Sequence, residues 1–277
     1  CVCVCVCARA RARQAIGGMR LISRCDTCVR VCPDHYINAF SVLHMVGPGA
    51  LDLGALGVMP ISAPPQAIKL NSAKARYSHA SERAKPGHYT AVLTDGASGS
   101  ASRLPLQVEL TATSHVALMR ITPTASSAAA VAAGPQTFAL KIDPRHVLNA
   151  NKAFNCSVVV DAEAGTISGH LIDDGGLSGR SPSTVPGQGG LDLWFHAAFP
   201  GQTLQPNCTG AVQGDEVLTA ASQPWAPINV GGNVSAFACV DDIGGISLSL
   251  SLSLSLSLSV CVCVCVCARA RARQAIG

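Results

Sequence analysis

Aromatic residues are scarce in this sequence, 4% of 277 positions, and charged residues make up only 13%. With 48% hydrophobic residues beside so little charge, a long disordered acidic or basic chain is excluded. A basic footprint is lacking too, although the formal net charge is +4. Six of the 20 basic residues are Arg9, Arg11, Arg13, Arg269, Arg271 and Arg273, in two Ala-Arg tracts that hold no acid. The remaining 14 face 16 acidic residues, a net of −2, so nucleic acid is not an expected partner. Cysteine thins out in the same way. Of the 14 present, Cys1, Cys3, Cys5, Cys7, Cys261, Cys263, Cys265 and Cys267 belong to Cys-Val repeats. The other six are Cys25, Cys28, Cys32, Cys156, Cys208 and Cys239. That is too few for a disulfide scaffold in a body of this length, but it leaves room for one or two bridges. No secretory signal is recognisable, because the first apolar run is seven residues long and arginine follows it rather than preceding it.

The two ends stand apart. Residues 1–17 recur unchanged as residues 261–277, and strict Ser-Leu alternation runs from Ser247 to Ser259. Three two-residue alternations of this kind are what two-base DNA repeats encode, so both ends read as translated low-complexity sequence. The division expected is a tail over 1–17, a body over 18–245 and a second tail over 246–277. Ile246 to Cys267 carries no charge and is long enough to span a membrane. Serine fills about half of its first 13 positions, and such strict alternation is a strand pattern instead, so no membrane partner is expected. The same alternation, free of charge and proline, is an aggregation hazard.

The body reads as mainly β. In Leu106 to Thr113 the residues Leu106, Val108, Leu110 and Ala112 point one way, and Gln107, Glu109, Thr111 and Thr113 point the other. Further strands are expected at 88–94, 115–121, 137–142, 157–161, 166–172, 191–198 and 235–240, between Gly-rich and Ser-rich breaks. An Ala-rich piece at 125–133 is the one weak helical candidate. Many short strands at close spacing favour an antiparallel β-sandwich with irregular loops.

Three ordered stretches carry a resemblance. The first runs from Ala39 through Phe40, Ser41, His44, Gly47 and Gly49 to Met59-Pro60. The second is Tyr77-Ser78-His79-Ala80-Ser81-Glu82-Arg83-Ala84-Lys85-Pro86-Gly87-His88-Tyr89. The third is Val108-Glu109-Leu110-Thr111-Ala112-Thr113, running on to Arg120 and Pro123. Together they resemble the N-terminal β-sandwich domain of glycoside hydrolase family 92, whose members are typically calcium-dependent, inverting exo-acting α-mannosidases. The match is dense over about residues 35–123 and continues to Cys239 only as a strand pattern. Within the first stretch Val42, Leu43 and Val46 stand where the family has His, Thr and Ser, which makes the loop more apolar. In the second, Ala80 lacks the family's acid.

The resemblance implies a division of labour. Inverting glycoside hydrolysis needs two carboxyl groups flanking the scissile bond with a water between them. In the family these lie in a following helical-barrel domain, which also supplies most of the calcium site. The acid pairs here, Asp173-Asp174, Asp215-Glu216 and Asp241-Asp242, are adjacent in sequence and are expected at turns and solvated edges. No catalytic residue and no cofactor is therefore expected in this chain, and mannose-containing glycans would be met through the absent barrel. The candidate sugar contacts are His44, His79 and Glu82, polar side chains in matched motifs. The competing role for His79 and Glu82 is to brace the loop before Pro86-Gly87. Trp194 and Phe195 are adjacent on a strand, so one is expected in the core and the other is a candidate stacking platform.

Two further signals point elsewhere. Cys25, Cys28 and Cys32, followed by Pro33 and near His35, have a spacing that suits a small metal site, although Ile22 stands where a ferredoxin-like run has its first cysteine. Asn155, Asn207 and Asn233 head N-glycosylation sequons, in keeping with a parental family that is often secreted or lumenal. A stand-alone carbohydrate-binding or structural module is the remaining alternative.

Overall fold

The computed structural model describes residues 20–23, 36–43, 54–61, 75–96, 105–113, 116–124, 138–147, 153–173, 191–223, 226–240 and 246–254. In chain order its strands are β1 (Arg20–Ser23), β2 (Tyr36–Leu43), β3 (Ala55–Ile61), β4 (Ala75–Tyr77), β5 (Arg83–Lys85), β6 (His88–Gly96), β7 (Leu106–Ala112), β8 (Val116–Pro123) and β9 (Phe138–Asp143). They continue as β10 (Ala153–Asp161), β11 (Thr166–Asp173), β12 (Leu191–Ala198), β13 (Gly210–Gln213), β14 (Glu216–Thr219), β15 (Ile228–Gly231), β16 (Val234–Val240) and β17 (Ile246–Leu254). The expected mainly-β, antiparallel class is what the molecule shows. The Ala-rich piece at 125–133 lies outside the described residues.

The strands among the described residues join in one 17-stranded sheet. Its pairing path runs β15–β10–β11–β12–β17–β8–β7–β6–β4–β2–β3–β9–β16–β13–β14, with β1 added to β2 and β5 to β6. Residues far apart on that path share one core. Val158, Ile167, Leu193 and Phe195 from β10–β12 pack in the same buried cluster as Phe40, Val58, Ile142 and Ala236 from β2, β3, β9 and β16. The sheet therefore folds back on itself, which is how an amphipathic sheet hides its apolar face.

Period-two alternation builds that face. Leu106, Val108 and Leu110 are buried while Gln107, Glu109 and Thr111 look outward, as the sequence predicts. Strand β16 differs, since all seven of its residues are buried. Val234, Ala236, Ala238 and Val240 face the main cluster, and Phe237 and Cys239 join a second one with Ala139 and Val212. There Cys208 and Cys239 form a disulfide. Cys156 is a free, buried thiol that burial pushes up to about 12, so it behaves as a small apolar side chain. One acid departs from expectation. Asp173 was expected at a solvated edge, but it ends β11 with no exposed surface, because Ala153 and Leu191 flank it across two ladders.

His146 fixes the entry to β3. Its Nδ1 lies 3.1 Å from the Gly54 carbonyl oxygen, and its own carbonyl accepts from Leu56 N at 3.1 Å. A Cβ on Gly57 would lie 2.7 Å from the His146 ring, so glycine is needed for this close approach. Burial pushes the imidazole below its ordinary value, against a smaller opposing pull from the Asp143 carboxylate. A depressed histidine means that the unfolded chain binds more protons as the pH drops through the ordinary histidine range. Stability contributed by His146 is thus full at neutral pH and is lost on acidification below about 6.5. Thermal melts are expected to fall between pH 7 and 5, with a slope from this residue of at most about 1.4 kcal/mol per pH unit. His146→Gln is expected to flatten that part of the profile, and an unchanged slope in the variant would refute the assignment.

Candidate functional site

The second sequence motif folds into a compact corner. Ser78 caps a short 3-10 turn over His79–Ser81, its hydroxyl accepting from Ala80 N. Ser81 Oγ donates to the Ser78 carbonyl at 2.7 Å and accepts from Val92 N at 3.2 Å, which fastens the turn to β6. Pro86 and Gly87 form the turn of the β5–β6 hairpin, and Gly87 has the positive φ of 77° that such a turn requires. The chain thereby returns Tyr89 beneath the 3-10 turn.

Three side chains meet there. His79 Nδ1 lies 2.5 Å from Glu82 Oε2, and the Tyr89 hydroxyl donates to Glu82 Oε1 at 2.8 Å. Tyr77 packs edge-on against the His79 ring at 5.1 Å. Tyr89 has no exposed surface, and the Glu82 side chain is 8% exposed. Burial, reinforced by the Glu82 carboxylate, raises the Tyr89 phenol well above its ordinary value, so it stays a donor. The His79 side chain is 35% exposed and forms the outward edge of the group. The sequence named His79 and Glu82, and the structure brings them together. Tyr89 is the member it did not single out, because only the hairpin turn places it. His44 lies outside the described residues, as do Cys25, Cys28, Cys32 and His35.

The third motif makes a second polar group. Glu109 accepts from Arg120 Nε at 2.6 Å and has His88 Nε2 at 3.5 Å, which ties β6, β7 and β8 together on their outer face. The Arg120 hydrogen bond leads in holding the Glu109 carboxyl below its ordinary range.

A third polar surface lies on the outer face of β11 and β12. Phe195 is core and Trp194 is 49% exposed, which settles the adjacent pair. The Trp194 ring stacks at a tilt on His170, 4.5 Å between centroids. His170 Nε2 bonds Asp192, and its Nδ1 lies 3.1 Å from the Asn155 carbonyl oxygen. Ser168 Oγ lies 2.8 Å from His196 Nδ1 alongside. The alternation Asp192, Trp194, His196 opposite Ser168 and His170 was available as a signal, but the cross-strand register was not.

Calcium is implied only for the full-length family. Among the described residues no group of three or more His, Cys, Asp or Glu side chains is placed to hold a metal ion.

Comparison with known proteins places the fold. Over 79% of its length the chain superposes on 26% of a family GH92 α-mannosidase from Bacteroides thetaiotaomicron, with a TM-score of 0.57 and 20% identity. That protein has also been solved in complex with mannoimidazole. The GH92 family glycosyl hydrolase ccman5 gives a TM-score of 0.59 at 19% identity, over 86% of this chain and 28% of that one. A family GH92 inverting mannosidase from Bacteroides thetaiotaomicron gives 0.51 at 18% identity, over 80% and 24%. At these identities the likeness is one of fold, and the chain spans about a quarter of the length of each. No curated protein matches it. Residues 31–236 match the glycosyl hydrolase family 92 N-terminal domain, well beyond the densest motifs, and the chain belongs to that family.

Proposed function

We propose that this domain forms one wall of a saccharide site that a second, helical-barrel domain completes, and that it does not itself break the glycosidic bond. The observation that carries the reading is the corner at His79, within the family-matched region. Glu82 spends one carboxylate oxygen on His79 and the other on buried Tyr89, so it acts as the brace. His79, held in one orientation and partly exposed, is the group that meets a sugar hydroxyl. The acids of the matched motifs are committed to neighbours, which suits positioning rather than acid–base chemistry. The His79 ring signals in NMR spectra are expected to shift on titration with an α-mannose-terminated oligosaccharide. His79→Ala is expected to weaken binding of the same oligosaccharide at least about tenfold by calorimetry while the chain stays folded, and an unchanged affinity in that variant would sink the assignment.

The second reading, a carbohydrate-binding module in its own right, rests on Trp194. A half-exposed indole flanked by fixed polar side chains offers both stacking and hydrogen bonding to a sugar. Under it, the same titration would quench Trp194 fluorescence and spare His79.

A further inference from the structure

Strand β17 occupies a singular place in the topology. Among the described residues, the ladder of β15, β10, β11 and β12 continues into the rest of the sheet only through β17, which pairs β12 on one edge and β8 on the other, while a single side-chain bond from Gln213 Nε2 to the Gly231 carbonyl links β13 to β15. Without it a slot would open between those two edges. The slot matches a period of two. Register sets Leu248, Leu250, Leu252 and Leu254 opposite the buried Met119, Ala117 and Ala197, Phe195 and Leu193. It sets Ser247, Ser249, Ser251 and Ser253 opposite residues on the outer face, among them Arg120, Leu118, His196 and Trp194. Directly opposed positions share a face of the sheet, so the register aligns the leucine positions with the buried residues of β8 and β12 and the serine positions with their outer face.

The repeat is longer than the slot. Strand β17 ends at Leu254, while the alternation continues to Ser259. A one-residue slip would put every leucine on the wrong face, but a two-residue slip reproduces the same pattern. The slot therefore selects alternation and does not select one segment. A Ser-Leu strand from another chain offers it the same leucines, serines and backbone groups. In the sequence five residues, Asp241-Asp242-Ile243-Gly244-Gly245, separate β16 from β17. Once out of the slot, the segment has neither charge nor proline to deter pairing with another edge.

We propose that the gap between β8 and β12 is a strand-acceptor site, filled by β17 of its own chain or by the Ser-Leu segment of a second copy. The partner is an identical chain, and the product is a reciprocally exchanged dimer. The test uses the full chain with the Cys-Val-tract cysteines replaced by serine, so that stray disulfides cannot link copies. Two differently tagged preparations are mixed below the melting temperature, and mixed dimers are captured and sized. Mixed dimers are expected. They should be lost in excess of a lysine-tagged peptide of sequence Ile246–Leu254, which binds one per chain. A peptide of Leu248–Leu256 should compete equally, and one of the same composition with its leucines clustered should not. Chains that stay monomeric at every concentration, dimers indifferent to the peptides, or equal competition by the clustered peptide would each overturn the proposal. The outcome is independent of sugar binding at His79.

Discussion

Replacing Cys208 and Cys239 by serine is expected to destabilise the folded chain by about 3–4 kcal/mol. The bridge closes a loop with a sequence separation of 31 residues. Cross-linking a loop of that length removes chain entropy from the unfolded state worth about 3–4 kcal/mol at 25 °C. The bridge also joins the segment before β13 to β16, the strand buried on both faces, so the loss falls where the second core cluster is built. Urea unfolding of the two proteins is the measurement, with the slopes compared to check that the unfolded state has not changed. A difference under about 1 kcal/mol, well below the loop-entropy expectation, would show that this corner is held by its packing alone.

Glu82→Ala is expected to cost about 1–3 kcal/mol, the penalty for leaving a buried donor without its acceptor. That donor is the hydroxyl of Tyr89, a residue with no exposed surface. Tyr89→Phe should cost less, because Glu82 keeps His79. Glu82→Gln should fall nearest to the parent, since its amide oxygen can still accept from Tyr89. The double variant Glu82→Ala/Tyr89→Phe should be less damaging than the sum of the single changes, because each removes the same bond. Strict additivity would mean that the two side chains act separately. Loss of sugar response in Glu82→Ala with a normal fold and an unshifted melting temperature would reverse the roles assigned to brace and contact.

Much of the fold was legible because alternation is a local property. Leu106 to Thr113 announces its buried face residue by residue, and the structure keeps it. What stayed hidden depends on partners distant in sequence. Strand β16 looks like a short apolar run, and only its pairing with β9 and β13 and the layers over it show that both faces are covered. The pair Trp194 and Phe195 shows that one residue must point inward but not which. Opposite Phe195 stands Gly169, where a Cβ would lie 2.4 Å from the phenyl ring, and that vacancy admits Phe195 rather than Trp194. Asp173 was misread for the same reason, since neighbouring strands and not its own sequence bury it. The Ser-Leu segment announced a strand by period and a tail by composition. Its place between β8 and β12 is a long-range pairing that neither signal contains.

The candidate corner divides along similar lines. His79 and Glu82 are three residues apart in a matched motif, so their contact follows from a single turn. Tyr89 reaches them only because Pro86-Gly87 reverses the chain. The face of β11 and β12 needs a cross-strand register before its five polar and aromatic side chains become one surface.

The most direct test of the account is an assay for mannose release from α-mannosides by the purified chain, with calcium present and no partner added. A wall without an acid–base pair across the scissile bond should give no turnover above the blank. Sustained release of mannose that copurifies with the chain would contradict the account, because the bond-breaking carboxyl groups would then have to lie within these 277 residues.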